Sequence, residues 1–402
     1  MRIGIDGTCW LNRRGYGRFA RELVGSLAAL DGGVEYTLVI DFDPTQAPAL
    51  PPGIRVLPVS TRQPAARAAA AAGRRSLADM WATSRAISRE RFDVVFFPSA
   101  YTYVPVAGPG HVVVVIHDVI AEQFPQHVFP TRLAATLWWL KLLAVRRQAD
   151  LVMTVSEASR RGIAERFGIP LDRIVVVPEA ADALFRPLPR NAAMHDVLQR
   201  LSIGDRRFLL YVGGISPHKN LGALLDAFAQ LRRDRVADDC RVVLVGDYAG
   251  DVFYSAYDAL QRQVQMLGLG DSVHFTGYVA DEDLAYLYSA AEAFVLPSLL
   301  EGFGLPVIEA MACGAPVIAS RRGALPEVVG EAGILFDPDR PGELRAALQR
   351  VLSDATLRDR LRRLGPQRAA EFSWARAART ASSAFRRLVE HAGASRFASE
   401  GA

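Results

Sequence analysis

Two carboxylates eight residues apart carry the first chemical signal in the chain. Residues 298–320 read SLLEGFGLPVIEAMACGAPVIAS, an almost wholly apolar run holding Glu301 and Glu309, with Gly-Phe-Gly-Leu-Pro between them. Pro306 has its φ fixed and lacks an N–H, so it suits the first position of a short helix, with Val307 to Cys313 forming about two turns after it. Gly314 supplies a left-handed stop, and Pro316 prevents continuation. Both glutamates then sit at a helix N-terminus. There the N–H groups of Phe303, Gly304 and Leu305 have no intrahelical partner and can receive an anionic or hydroxyl-rich ligand. Gly302 and Gly304 remove side chains from that approach. A blander reading is open to Glu309, an acid complementing the helix dipole. It fits Glu301, just before the glycine loop, less well.

A lysine is the second signal. Of 47 basic residues only Lys141 and Lys219 are lysine. In a chain that otherwise uses arginine, Lys219 in YVGGISPHKN suggests a place for a compact ammonium. His117-Asp118, after the run HVVVVI, adds a titratable pair. A plainer reading of His117 is a hydrogen-bonded strand-end residue, and Asp118 reads as its orienter. His218 reads as a loop residue.

These groups need elements to hold them. The runs MRIGID, YTLVID, FDVVFFP, HVVVVIHD, DLVMTVS and RIVVVPE form one series. RFLLYVGG, RVVLVGD, SVHFTG, AFVLPS, APVIAS and GILFD form a second. They are rich in Val, Ile and Leu without polar alternation, as in strands covered on both faces. Stretches with apolar spacing near 3.6 alternate with them, which predicts a parallel α/β sheet twice over. Pro187 and Pro189 mark the break. The expected organisation is an N-terminal domain over 1–187, a second over 188–373, a helix over 374–392 and a loose tail over 393–402. The Ala/Arg-rich 66–76 stretch reads as a mobile excursion. Ligands of open α/β sheets bind beyond the carboxyl ends of the strands. Gly15 and Gly17 lie there, as do His117, Gly213, Gly214, Lys219, Gly246, Gly277, Tyr278, Val279 and Glu301.

Bulk properties narrow the class. At 402 residues, two domains are the prior. The opening MRIGIDGTCW reads as a strand rather than a signal peptide, and no apolar run reaches about 18 residues. Cys9, Cys240 and Cys313 are scattered and odd in number, which points to a reducing compartment and no metal cluster. Residues 1–190 hold 23 basic against 17 acidic residues, and 191–402 hold 24 against 26. That basic bias is too mild to require nucleic acid.

The pattern EGFGLPVIEAMACGAPVIAS, with FVLPS upstream, resembles the Glu-x₇-Glu segment of retaining glycosyltransferases of family 4. The likeness extends over GYGRF, His117-Asp118, GGISPHKN, FTGYVADEDLAYLYSAAEAFVLPS and the FSW before the last helix. It implies the GT-B architecture: α/β, two Rossmann-like doubly wound parallel-sheet domains facing across a cleft. By the same resemblance, Glu309 would hold the ribose hydroxyls of a nucleotide-sugar. Glu301 and the amides of Gly302, Phe303, Gly304 and Leu305 would hold the donor hexose. Lys219 would neutralise the diphosphate, with Gly214 beside it and Gly15 to Gly17 allowing approach from the other domain. Tyr278 and Val279 would border the base, and His117 would lie near the anomeric carbon.

Two places depart from the family pattern. Gly213-Gly214 stands where many relatives carry an arginine, so a second cation would come from Arg18 or His218. PEAAD at 178–182 replaces the usual Asn-Gly-Val-Asp. No Asp-x-Asp clamp is visible, and DEDLAY at 281–286 reads as a helix cap, so no metal and no cofactor is expected. The implied activity is transfer of a hexosyl group, with mannosyl from GDP-mannose as the leading donor, to a glycan or lipid-linked acceptor. A nucleotide-sugar epimerase, a phosphorylase with pyridoxal phosphate or a non-catalytic nucleotide-sugar-binding protein are the rivals. A cytoplasmic location is expected. TRLAATLWWLKLLAVRR over 131–147 reads either as an internal helix or as one lying on an anionic membrane, with Trp138 or Trp139 at headgroup depth.

Overall fold

The computed structural model describes residues 1–400 apart from 13–14, 31, 48, 69–75, 109, 130 and 248–254. Most of the 66–76 stretch therefore lies outside the described residues. By internal contacts the chain forms two units. One comprises Met1–Pro125, Phe129–Glu179 and Ser373–Ala402; the other comprises Gln126–Val128 and Ala180–Phe372. Phe185 and Leu188, on either side of the expected break at Pro187, pack inside the second unit. The Phe185 ring meets Tyr288 edge-on, and the Leu188 N–H donates to Ser289 Oγ.

The first unit is built on a seven-stranded sheet: β1 (Arg2–Asp6), β2 (Glu35–Ile40), β3 (Arg55–Pro58), β4 (Val94–Phe97), β5 (His111–Val115), β6 (Leu151–Thr154) and β7 (Ile174–Val176). Its order is β3-β2-β1-β4-β5-β6-β7, with every pairing parallel. Central strands such as β4 (VVFF) are buried along their whole length, as a sheet covered on both faces demands. β3 was missed by the sequence reading. Its RVLP has no buried residue and sits at the sheet edge, so it carries neither an apolar run nor alternation.

The second unit has a six-stranded parallel sheet: β8 (Arg207–Val212), β9 (Cys240–Val245), β10 (Val273–Gly277), β11 (Ala293–Leu296), β12 (Val317–Ser320) and β13 (Gly333–Phe336). Its order is β10-β9-β8-β11-β12-β13. In both sheets the order reverses beside the first strand, so β1/β4 and β8/β11 are the topological switch points.

Helices needed below are α1 (Gly15–Ala28), α2 (Leu77–Arg89), α3 (Arg132–Gln148), α4 (Leu221–Arg233), α5 (Asp281–Ala290), α6 (Leu305–Ala312), α7 (Ala355–Ala369) and α8 (Trp374–Glu400). α8 belongs to the first unit and lies on α1. Trp374 meets Phe19 edge-on at 5.9 Å and Phe385 meets Phe96 at 5.3 Å. It runs past Gly393 to Glu400, where a loose tail was expected. α5 corrects another expectation. Its N-cap is Ala280 with no side-chain bond, so Asp281, Glu282 and Asp283 complement the helix dipole from the first turn rather than cap it. Asp283 is also bound by both Arg200 terminal nitrogens, at 2.7 and 2.9 Å.

Candidate active site

The second unit places Gly213, Gly214, Lys219 and Glu301 at the β8/β11 switch point. After β8 the chain makes a 3-10 turn over Pro217–Lys219, and Asn220 follows with φ +56°. Its side-chain amide donates to Pro297 O at 3.3 Å, and the Leu299 N–H donates to His218 O at 2.8 Å. These bonds tie the loop after β8 to the loop after β11. Lys219 and Glu301, 82 positions apart, therefore meet: Lys219 Nζ donates to Glu301 Oε1 at 2.7 Å, and Ser298 Oγ donates to the same oxygen at 2.5 Å. Glu301 is held through its backbone as well. Its backbone carbonyl accepts from Ala324 N, and a Cβ on Gly323 would lie 2.3 Å from that carbonyl.

Tyr211 and Gly213 shape the same loop. The buried Tyr211 hydroxyl donates to Gly214 O at 2.7 Å. Burial first, and the charge of Glu301 second, push its pKa well above the ordinary phenol value. It stays a neutral donor. Gly213 has φ +151°, and a Cβ on Gly246 would sit 2.1 Å from Gly213 O. Close backbone approach explains this glycine pair.

α6 is preceded by Gly304, whose φ of +96° only glycine adopts readily, and Pro306 falls in its first turn. The helix starts at Leu305, one residue before the expected first position at Pro306. No side chain caps it, so its first N–H groups are uncommitted to a cap. Phe303 turns its ring inward against Phe372 at 5.6 Å, which leaves only its backbone for a ligand. Glu309 is 2% exposed and accepts from the fully buried Tyr288 hydroxyl at 3.0 Å. Burial and then the Glu309 charge push the Cys313 thiol up to about 12, so it is inert as a nucleophile. Val279, after β10, is buried; Tyr278 beside it is exposed.

The remaining candidates lie on the first unit. His117 follows β5; its Nε2 pairs with Pro98 O at 3.1 Å, and its ring meets Phe19 edge-on at 4.9 Å. A carbonyl only accepts, so Nε2 carries the proton. Burial lowers the histidine pKa to about 4, partly offset by that carbonyl. His117 is therefore neutral above about pH 4, and no rate change near pH 6.5 should come from it. The Pro98 carbonyl orients the ring; Asp118 Oδ1 instead accepts from Ile120 N at 2.8 Å. His218, on the second unit, is buried, and burial, then Lys219 and His127, lower its pKa to about 3. Uncharged at neutral pH, it is no second cation. Arg18, the other candidate, lies on α1.

The two glycines of GYGRF separate in role. A Cβ on Gly17 would lie 2.0 Å from Asn12 O, whereas one on Gly15 would meet nothing within 4 Å. We predict that Gly17→Ala destabilises the protein by about 1–3 kcal/mol through overpacking. Gly15→Ala, at a helix start, should be neutral or slightly stabilising. Urea titrations of both variants check this; equal stabilities would remove the packing role.

Sequence reasoning missed Tyr288 and the Ser298 bond. For Tyr288 a signal existed, since a tyrosine in an Ala/Leu-rich helix that becomes buried must find its hydroxyl a partner.

Comparison with known proteins bears on the family and the fold. Residues 13–183 match the family model Glycosyltransferase Family 4, and residues 197–368 match Glycosyl transferases group 1. The chain is 38% identical over 230 residues to O-antigen chain mannosyltransferase B of Escherichia coli, covering 56% of this chain and 58% of that protein. It is 36% identical over 258 residues to the MMP alpha-(1->4)-mannosyltransferase of Mycolicibacterium hassiacum, covering 60% and 58%. The matches thus span less than two thirds of either relative. Sucrose-phosphate synthase from Thermosynechococcus elongatus superposes with a TM-score of 0.73 at 22% identity, over 97% of this chain and 100% of that one. With one family model on each half and two parallel sheets of the matching fold, the chain belongs to the family 4 (group 1) glycosyltransferases of GT-B fold.

Proposed function

We propose that the protein is a retaining hexosyltransferase, moving a mannosyl group from GDP-mannose to a hydroxyl of a glycan or lipid-linked glycan. The observation that carries this reading is the Lys219–Glu301–Ser298 cluster at the β8/β11 switch point, beside the uncapped start of α6. Cleavage of a sugar–phosphate bond leaves charge on the departing diphosphate and an electron-poor sugar. An ammonium and helix N–H dipoles stabilise that charge as it develops. Glu301 accepts from donor-sugar hydroxyls once Lys219 turns toward phosphate, and Glu309 accepts from the ribose. Tyr278 and Val279 flank the base. Mannose is favoured because both relatives named above are mannosyltransferases.

The test is product formation from a panel of nucleotide-sugars, with the anomeric configuration read by NMR. Transfer with inversion would refute retention, and release of a free isomerised sugar would favour the epimerase. Because Lys219 and the α6 amides take the part a divalent ion would otherwise play, activity should persist in excess EDTA. A strict requirement for added Mg²⁺ or Mn²⁺ would overturn that part. The enzyme is placed by this reading at the cytoplasmic face, where a lipid-linked acceptor is presented.

A further inference from the structure

Glu301 divides the work of its two carboxylate oxygens. Both of its side-chain bonds, from Lys219 Nζ at 2.7 Å and from Ser298 Oγ at 2.5 Å, go to Oε1. Oε2 takes no hydrogen bond among the described residues. The side chain is only 9% exposed, yet Oε2 is not sealed, since it keeps contact with solvent. An oxygen in a nine-tenths buried carboxylate that is still reachable accepts from whatever enters the site.

Ser298 is placed to maintain that division. The serine is fully buried, and three bonds fix its stretch of chain: Asn220 Nδ2 donates to Pro297 O, Leu299 N to His218 O, and Ser320 Oγ to Ser298 O. Ser320, also fully buried, ends β12, which pairs with β11 in the sheet. The hold on Ser298 is therefore anchored in the sheet and in the Lys219 loop together. The spacing Ser298-x-x-Glu301 matches a helix cap, but residues 298–301 are not helical, so the bond caps nothing. What it fixes is the last torsion of the glutamate. That torsion is otherwise broad and nearly two-fold, and the two oxygens would exchange.

Lys219 cannot keep them apart throughout the reaction. On the reading that it turns to the departing diphosphate, on which this inference rests, its bond to Oε1 is given up just when the sugar must be held. We propose that Ser298 is then the residue that positions Glu301, keeping Oε1 for the protein and leaving Oε2 as the one carboxylate oxygen offered to hydroxyls of the donor sugar. Ser298 acts through Glu301 rather than on the substrate. By fixing which oxygen receives a hydroxyl, and where, it sets which hydroxyl the site demands. A carboxylate free to rotate would follow a misplaced hydroxyl and discriminate less.

Ser298→Ala tests this with the donor that the nucleotide-sugar panel selects, GDP-mannose on our reading, and with analogues of it that each lack one hydroxyl. The unsubstituted protein should reject the analogue without the hydroxyl paired to Oε2 by about 10- to 100-fold in kcat/KM, as for a lost hydrogen bond to a charged group. Ser298→Ala should lower kcat/KM for the full donor by about 5- to 20-fold. For that one analogue it should cost less than about twofold, because the two losses share one interaction. Affinity for the nucleoside diphosphate alone, read by calorimetry, should stay within about threefold, since it brings no sugar to Glu301. Ser298→Cys keeps the packing more fully and offers only a weak donor, so it should give the same pattern and guards against a loss of folding in the alanine variant. An equal penalty on the full donor and on every analogue, or a parallel loss of diphosphate affinity, would make Ser298 a structural residue and overturn the proposal. Failure of the unsubstituted protein to transfer from any nucleotide-sugar would instead overturn the transferase reading, and the proposal with it.

Discussion

Replacing Lys219 by alanine should lower kcat by about 10²-fold or more, because the charge on a departing diphosphate is greatest in the transition state. The donor KM should move much less. Lys219→Arg should rescue little, since a planar fork on a longer stem does not place its charge where a compact ammonium does. The structure adds a second consequence. Lys219 Nζ sits 2.7 Å from Glu301 Oε1, and the two side chains are only 18% and 9% exposed. The alanine variant leaves a buried carboxylate without its counter-charge, which should cost about 2–4 kcal/mol. Stability and catalysis therefore fall together, and a single variant cannot separate them.

The double variant Lys219→Ala/Glu301→Gln can. Removing the carboxylate charge removes the penalty, so Tm should recover most of its loss. Activity should not recover, because the cation is still missing. Coupling between the two positions is expected in stability, as for any directly bonded pair. If kcat survives in Lys219→Ala while Tm falls, Lys219 is a structural counterion and the proposed leaving-group role is wrong.

What the sequence revealed about this site, and what it hid, follows from the range of the signals. The N-terminus of α6 was legible because its punctuation is local: Gly304 for the left-handed entry, Pro306 for the first turn, Gly314 (φ +76°) for the exit. The six strands of the second sheet were all readable as apolar runs, whereas β3, at an edge and unburied, was not. Lys219 stood out by composition alone. Its bond to Glu301 could not be read, because it depends on β8 pairing with β11 across 82 residues. Likewise Asp118 looked like the orienter of His117 by adjacency, yet the ring is held by Pro98, the residue after β4, which neighbours β5 in the sheet. Neighbours along the chain were legible; neighbours across strands were not.

The two glutamates should separate by kinetic signature. Glu309→Gln is expected to raise the donor KM by about 10- to 100-fold while leaving kcat within a few-fold, since ribose contacts exist in ground and transition states alike. The substitution is nearly isosteric, and the amide oxygen can still accept from Tyr288. What it removes is one acceptor, because the amide nitrogen donates and cannot receive a hydroxyl proton. Tyr288→Phe keeps the edge-on packing against Phe185 and Phe294. It deletes only the hydroxyl that fixes the carboxylate, so a smaller KM rise of about 3- to 10-fold should follow, from the net worth of one hydrogen bond. A purely structural tyrosine would instead lower Tm with KM unchanged. Glu301→Gln should act mainly on kcat, by about 10- to 100-fold, because its partners shift as Lys219 turns from carboxylate to phosphate. KM and kcat measured on the three variants with one donor decide the assignment. If Glu301→Gln moves KM and Glu309→Gln moves kcat, the two roles are exchanged. If neither moves either constant, the start of α6 binds no donor, and Glu309 serves only the helix dipole and the Tyr288 hydroxyl.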